Sequence, residues 1–177
     1  MKILAIADTY SVKKPAKENI GLLVSCGDVP DDVILRVGEY YGCKTIFAVK
    51  ENHDGSGSFP KDVKDLHCQT REYGGFTFGG LNGSWKYKPR GHFLYSQKEV
   101  EDMLSDFPDA DIFVSHNSPR GIHDREDDVH YGFEGLNTYI HRVKPKVLFH
   151  GHQHVNEETI VEETKIIGVY GERIIEI

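Results

Sequence analysis

The sequence is short of cysteine and of positive charge. Its three cysteines, Cys26, Cys43 and Cys68, are odd in number and lack the paired spacing of a zinc knuckle, so we interpret them as free thiols. Lys and Arg number 21 against 28 Asp and Glu, which gives a formal net charge of −7. An acidic chain is poorly suited to long contact with a nucleic-acid backbone. We therefore expect a small substrate and regard duplex nucleic acid as an unfavourable partner.

Long apolar runs, repeats, low-complexity segments and linkers are also missing. No apolar segment is long enough for a signal peptide or a membrane span, so we expect a soluble cytoplasmic chain with no membrane partner. The 177 residues suit a single domain over positions 1–177. A chain of this length buries about 70% of the surface that its unfolded form exposes, which is enough for a proper core.

Five apolar, strand-like runs are each followed by residues that can bind a metal. The runs cover residues 3–7, 22–27, 46–49, 112–115 and 147–149, and behind them come Asp8, Asp28, Asn52, His116, His152 and His154. In α/β sheets, ligands bind outside the carboxyl ends of the strands. These polar ends are therefore expected to meet in one cleft.

Helices and a second sheet are predicted between and after these runs. Helices are predicted from residue 31 to about Tyr41, behind a capping box of Ser96 and Glu99, and over the apolar positions of residues 133–143. Residues 72–78 predict a hairpin that begins a second sheet, and residues 159–177 predict a terminal strand meander. Residues 13–19 predict a loop or short turn. We interpret residues 79–92 as a surface loop in preference to a substrate-facing wall.

The six candidate ligands are a mixture of nitrogen and oxygen donors. Such a set is too polar for a structural zinc cluster and too rich in imidazole for calcium, and it suits Mn, Fe, Co, Ni or Zn. Six ligands exceed the need of one ion, which favours two ions bridged by Asp28. Two ions can hold a phosphoryl group and activate a water for in-line displacement, which predicts phosphoester hydrolysis. His53 is then free to donate a proton to the departing oxygen or to stabilise the phosphoryl group.

The order of these segments resembles the five blocks of the calcineurin-like metallophosphoesterases. The matching positions are Asp8 with 9–10, residues 27–31, residues 52–54, His116, and residues 151–154. Residues 116–124, with Gly132 and Leu136, resemble the short phosphodiesterase-type branch, and in that segment we take Arg120 as a candidate substrate-binding residue.

The resemblance, which covers nearly the whole chain, implies a fold and a ligand assignment. The fold is an α/β four-layer sandwich of two mixed β-sheets flanked by helices. One divalent ion would be held by Asp8, Asp28 and His154, and a second by Asp28, Asn52, His116 and His152. His53 would be the catalytic histidine, and manganese is the preferred metal.

Two positions depart from the family pattern. Tyr10 stands where the first block has histidine, and Glu51 stands where the third usually has glycine. The first ion therefore becomes weak or absent, takes a water in the vacant position, or binds Tyr10 as phenolate. We favour a weakened site because a phenol with a pKa of about 10 needs a strong Lewis acid to ionise at neutral pH. Glu51 either adds negative charge near the metals or faces solvent.

Two functions follow from these features. The favoured one is a metal-dependent phosphodiesterase or phosphatase that attacks a small or single-stranded phosphoester with a metal-activated hydroxide. The alternative is a non-catalytic scaffold module of the same fold, which the loss of histidine at Tyr10 keeps open. A nuclease on duplex DNA is disfavoured by the acidity and by the lack of a domain to grip a duplex.

Overall fold

The computed structural model describes residues 1–12 and 20–177, so the loop predicted for residues 13–19 lies outside the described residues. The elements in chain order are β1 (Lys2–Ala7), β2 (Leu22–Ser25), α1 (Asp31–Tyr41), β3 (Thr45–Ala48), β4 (Val63–Asp65), β5 (Thr70–Tyr73), β6 (Phe76–Leu81), β7 (Ser84–Trp85), β8 (Leu94–Tyr95), α2 (Gln97–Ser105), β9 (Ile112–Ser115), α3 (Glu134–Val143), β10 (Val147–His150), β11 (Glu158–Val161), β12 (Thr164–Gly168) and β13 (Gly171–Glu176).

These strands form two large mixed sheets and one small one. The first sheet has the order β13-β1-β2-β3-β4, in which β1 to β4 run parallel and β13 is antiparallel. The second has the order β11-β12-β10-β9-β6-β5, with antiparallel pairs at both edges. Strands β7 and β8 pair separately. The two mixed sheets expected from the sequence are confirmed.

Alternation along each buried strand explains how the layers stack. Successive side chains of a strand point to opposite faces. In β1, Ile3 and Ala5 belong to a core cluster shared with strands of the second sheet, whereas Leu4 and Ile6 pack with residues of α1. The outer face of the second sheet packs against α2 and α3 in a third cluster. The result is the helix-sheet-sheet-helix sandwich, and it explains why the strands read as continuous apolar runs.

Several local predictions are confirmed. Helix α1 ends before Gly42, and the capping box of Ser96 and Glu99 opens α2. The predicted hairpin turn lies at Gly74 and Gly75, both of which have positive φ, a conformation that glycine adopts without strain. Within residues 1–12 and 20–177 there is no helix with the length and apolar character needed to cross a membrane.

The predicted terminal meander is wrong. Strands β11 and β12 form a hairpin in the second sheet, but β13 crosses to the first sheet and pairs with β1. The reason lies in the edges that are free. Strand β12 already has β10 on one side and β11 on the other, whereas β1 has β2 on one side only. The last strand therefore completes the edge that offers unpaired backbone groups.

Candidate metal centre

The candidate ligands meet in one cavity at the carboxyl ends of the parallel strands. This cavity of about 130 Å³ is lined by Asp8, Asp28, Glu51, Asn52, His53, Tyr87, His116, Val129, His130, His152 and His154. All six predicted ligands and the predicted catalytic His53 are among the lining residues. A larger cleft of about 460 Å³ adjoins it, because both share Asp28 and His53, and Tyr10 lines that cleft.

The backbone turns sharply at four of the six predicted ligands. Asp8, Asp28, His152 and His154 have φ angles of 50°, 51°, 64° and 54°. This left-handed region is sparsely populated by residues other than glycine and is found preferentially at functional sites. At Asp8, Asp28 and His152 the turn comes within three residues of a strand end.

Nε2 of His116 and Nδ1 of His152 face each other, and each presents a lone pair to the other. His116 is fully buried and its Nδ1 lies 2.8 Å from the carbonyl oxygen of Cys26, while Nε2 of His152 lies 3.0 Å from that of Val129. A carbonyl only accepts, so each ring must use its N–H there. Burial lowers the pKa of His116 well below its ordinary value and that of His152 to about 4, so both rings are neutral with one N–H each. The nitrogens that face each other, 3.2 Å apart, therefore have no proton between them.

Glu51 brings a carboxylate to the same point. Its side chain is 2% exposed, its Oε1 lies 4.0 Å from Nε2 of His116, and that oxygen has no hydrogen-bond partner among the described residues. Of the two alternatives that the sequence left open for Glu51, the structure shows the inward one. Burial raises the pKa of this carboxyl to about 7.

Glu51, His116 and His152 could therefore hold a metal ion. Each offers one ligand atom, and these atoms lie within 4.8 Å of one another. Histidines that bind a metal through one ring nitrogen commonly donate the N–H of the other ring nitrogen to a backbone carbonyl, and both rings donate in this way here. A buried carboxylate oxygen and two imidazole lone pairs without protons are compatible with a cation between them.

Asp8 and His154 form a second group beside this cluster. Oδ2 of Asp8 accepts a hydrogen bond of 2.8 Å from the backbone N–H of His152, and its Oδ1 lies 3.6 Å from Nε2 of His154. Burial above all, together with the charges of neighbouring carboxylates, Asp28 first, raises the pKa of Asp8 to about 8. Carboxyl groups are thus crowded together in this centre, which disfavours the ionised forms of Asp8 and Glu51.

Tyr10 contacts this centre from the outside. Its ring is 67% exposed, and its hydroxyl donates a hydrogen bond of 3.2 Å to Oδ1 of Asp28. The charge of Asp28 raises the pKa of Tyr10 above its ordinary value. A neutral phenol that donates to the carboxylate favours the weakened-site interpretation over ligation by phenolate.

The loop after β3 carries the remaining predicted residues. Oδ1 of Asn52 accepts a hydrogen bond of 3.1 Å from the hydroxyl of Ser84, and its amide donates to the hydroxyl of Tyr87 at 3.2 Å. His53 is exposed at the junction of the cavity and the cleft. Asp54 ties the loop to β2, because its Oδ2 accepts from the backbone N–H groups of Glu51 and Asp28 at 2.8 and 3.1 Å.

Arg120 does not join the lining of this cavity. Its guanidinium donates to Asp124 and Glu126 at 2.6 and 2.7 Å and stacks over the ring of Tyr131, 3.8 Å from the ring centre. Two carboxylates already balance its positive charge. A substrate-binding role for Arg120 stays a prediction.

The profile of the calcineurin-like phosphoesterase family matches residues 1–156. The chain belongs to this family. The resemblance found in the motif blocks is thereby confirmed, together with the fold class. A comparison with curated proteins found no match.

Several solved structures have a similar fold. Vps29 of Entamoeba histolytica in complex with Zn²⁺ is 14% identical over 97% of this chain and 74% of that one, with a TM-score of 0.52. Phosphopantetheinyl hydrolase of Mycobacterium tuberculosis is 12% identical over 96% and 89%, with a TM-score of 0.58. GAP50, described as the anchor in the inner membrane complex of Plasmodium, is 14% identical over 96% and 71%, with a TM-score of 0.55. At these identities the likeness shows the fold.

Two polar lining residues of this calcineurin-like phosphoesterase, besides the apolar Val129, escaped sequence analysis. Tyr87 belongs to residues 79–92, and its place in the cavity shows that the surface-loop interpretation is wrong for that position. His130 lines the cavity from the long loop before α3, with its ring centre 5.1 Å from that of His152. Neither residue follows a buried strand, which was the signal that found the others. An aromatic and basic composition was the available hint for Tyr87.

Proposed function

We propose that this chain is a metal-dependent phosphoester hydrolase that acts on a small or single-stranded phosphodiester. One observation carries the proposal: two imidazole lone pairs and a carboxylate oxygen converge in a cavity that has His53 at its rim. Membership of the calcineurin-like phosphoesterase family supports the reaction class.

The cavity residues suit divalent transition metals. Asp8, Asp28 and His154 would hold one ion, and Asp28, Asn52, His116 and His152 a second, with manganese as the preferred metal. The mixed oxygen and imidazole donors fit ions of this class, and the crowded carboxyls fit a site of positive charge. Bound there, such ions would neutralise charge on a phosphoryl group and lower the pKa of a water.

His53 is the side chain that would donate a proton during the reaction. Its backbone N–H donates a hydrogen bond of 2.5 Å to Oε2 of Glu51, which fixes the position of the residue at the cavity rim. The exposed ring can then reach an oxygen of a substrate that spans the cavity and the cleft. In this position it would give a proton to the departing alkoxide, a role that accelerates such reactions by roughly 10²–10⁴-fold.

The acidic cleft favours a diester over a monoester. Asp28, Asp31, Asp32 and Asp54 are among the residues that line it. A phosphomonoester carries nearly two negative charges at neutral pH, because its second pKa is about 6, whereas a diester carries one. Repulsion in the cleft therefore penalises the monoester more. The same repulsion disfavours duplex nucleic acid as a substrate.

A cytoplasmic location stays a prediction.

A non-catalytic scaffold of the same fold is the second candidate. Tyr10, which stands in the place of a metal-binding histidine, is the observation that favours it. GAP50, the anchor in the inner membrane complex of Plasmodium, has a similar fold, so the architecture is compatible with such a role in that protein.

Hydrolysis of model substrates separates the two functions. Bis-p-nitrophenyl phosphate and p-nitrophenyl phosphate are offered to the metal-free protein with added Mn²⁺, Fe²⁺, Ni²⁺, Zn²⁺ or Co²⁺. We expect metal-dependent turnover that is faster on the diester. Absence of turnover with every metal, while the protein remains folded, rules out the hydrolase and leaves the scaffold. Faster turnover of the monoester would overturn the substrate assignment alone.

A further inference from the structure

We infer that Glu51 is itself a ligand of the ion held by His116 and His152, in a family whose pattern usually has glycine at this position. The inference rests on the proposed function, because it concerns the same metal centre. It adds a donor to the ligand set and makes the two ion positions unequal.

The two oxygens of Glu51 have different environments. Oε2 accepts the backbone N–H of His53 at 2.5 Å and is thereby satisfied. Oε1 is buried, lacks any partner among residues 1–12 and 20–177, and points toward the imidazole pair. Leaving a buried charged oxygen unpaired is costly, and natural proteins seldom do so without a ligand. The free oxygen therefore points to a position where a cation would bind.

Sharing a proton does not explain the arrangement. Oε1 and Nε2 of His116 are 4.0 Å apart, which is too far for a hydrogen bond. The facing nitrogen of His152, Nδ1, carries no proton, because the single N–H of the neutral ring is on Nε2 and donates to the carbonyl oxygen of Val129. An ion placed among the three atoms would satisfy all of them at once, since each presents a lone pair to the same space.

Packing holds Glu51 in this orientation. Its Cβ lies only 3.2 Å from the place that a Cβ on residue 27 would occupy, so Gly27 is needed for the close approach. The same added atom would lie 2.6 Å from Nδ1 of His116. Asp54 clamps the backbone N–H of Glu51 from the other side. These contacts fix the backbone and the Cβ of Glu51 beside His116.

The extra carboxylate strengthens one position while Tyr10 weakens the other. The ion at His116 and His152 gains a negatively charged donor, whereas the ion at Asp8 and His154 lacks the imidazole that the family supplies. We therefore expect one tightly bound ion and one weak one in each chain. Because Oε2 holds the backbone of His53, loading the tight position also orders the residue that donates the proton.

Binding of Mn²⁺ to the full chain tests this role without any measurement of turnover. Isothermal titration calorimetry compares the wild type with Glu51→Gln, which keeps the shape and an acceptor for the N–H of His53 but removes the charge. The control is Asp111→Asn, a carboxylate that also accepts a backbone N–H but lies at the amino end of β9. We expect Glu51→Gln to raise the Kd of the tight ion by about tenfold or more, as loss of a metal-supporting group does. Asp111→Asn should leave the Kd unchanged.

A manganese anomalous map of wild-type crystals gives a second readout that does not depend on the variant folding. A peak within bonding distance of Oε1 of Glu51 supports the inference, and a peak bonded to His116 and His152 but not to Glu51 overturns it. An unchanged Kd in folded Glu51→Gln also overturns it. If the wild type hydrolyses diesters but its Kd is independent of Glu51, the inference alone fails. If Mn²⁺ binds through Glu51 and no ester is cleaved, the proposed hydrolase fails and the inference stands.

Discussion

Two histidine pairs at the end of β10 look alike and differ in their protons. His123 and His150 approach to 2.9 Å between ring nitrogens, and His116 and His152 to 3.2 Å. In the first pair the contacts form a complete chain. The hydroxyl of Thr159 can donate to His123, His123 to His150, and His150 to the carbonyl of Gly151. Each contact in that chain has one proton.

In the second pair both protons point away from the contact, to the carbonyls of Cys26 and Val129. Two lone pairs then face each other beside a free carboxylate oxygen. The distance between two imidazole rings is therefore not enough to identify a candidate metal site. The hydrogen-bond partner of the far nitrogen of each ring identifies it, because this partner decides whether the near nitrogen can bind a cation.

Removing one histidine from each pair should give the largest difference between the two pairs in metal content and turnover. We expect His116→Ala to lose the tight Mn²⁺ and to lower turnover of bis-p-nitrophenyl phosphate by about 100-fold or more, since the metal supplies most of the catalysis. His123→Ala should retain the metal, because its partner ring does not face the cavity. Metal content after dialysis and the turnover rate are the measurements. Equal metal content in the two variants would contradict the assignment.

His53 belongs to neither pair and separates catalysis from metal binding. We expect His53→Ala to reduce turnover by about 10²-fold, within the range of a general acid, while metal content stays at the wild-type level. The control is His92→Ala, which removes an exposed histidine outside the cavity lining and should change neither quantity. Loss of metal from His53→Ala would show that this ring is a ligand.

The pair formed by His123 and His150 should contribute to the stability of the fold. We expect His150→Ala to lower the free energy of unfolding by about 2 kcal/mol, because it leaves a buried N–H of His123 without its acceptor. Thr159→Val removes only the first hydrogen bond of the chain, from the hydroxyl of Thr159 to His123, and should cost about 1 kcal/mol. Urea denaturation measures both. A His150→Ala protein of wild-type stability would show that the chain of bonds is not formed.

Tyr10 marks the place where an imidazole is missing, and its replacement should have the smallest effect. We expect Tyr10→His to raise occupancy of the weaker metal position several-fold at fixed Mn²⁺. Tyr10→Phe, which removes the bond to Asp28 without adding a nitrogen, should not raise it. Metal equivalents by titration decide the result. Two full equivalents in the wild type would refute the weakened-site hypothesis.

Most of the candidate site could be predicted from the polar residues that follow the buried strands. Asp8, Asp28 and His116 each follow a buried strand, and parallel strands bring such ends together whatever the loops do. His130 and Tyr87 reach the same cavity from long connections whose paths depend on tertiary packing. The direction of Glu51 depends on the close approach of Gly27, which no local pattern encodes. The alternation of apolar and polar residues predicts that β13 is a strand but not its partner, because the partner depends on which sheet edge is free.

The left-handed turns at Asp8, Asp28, His152 and His154 have a consequence for protein engineering. A side chain in this conformation costs roughly 1–2 kcal/mol relative to ordinary backbone, and glycine or asparagine relieves much of that cost. A screen that selects variants by thermal tolerance alone would therefore enrich glycine or asparagine at these positions. If these four residues are the proposed metal ligands, such a screen would select more stable proteins with weaker metal binding, so stabilised variants should be sought with these positions held fixed.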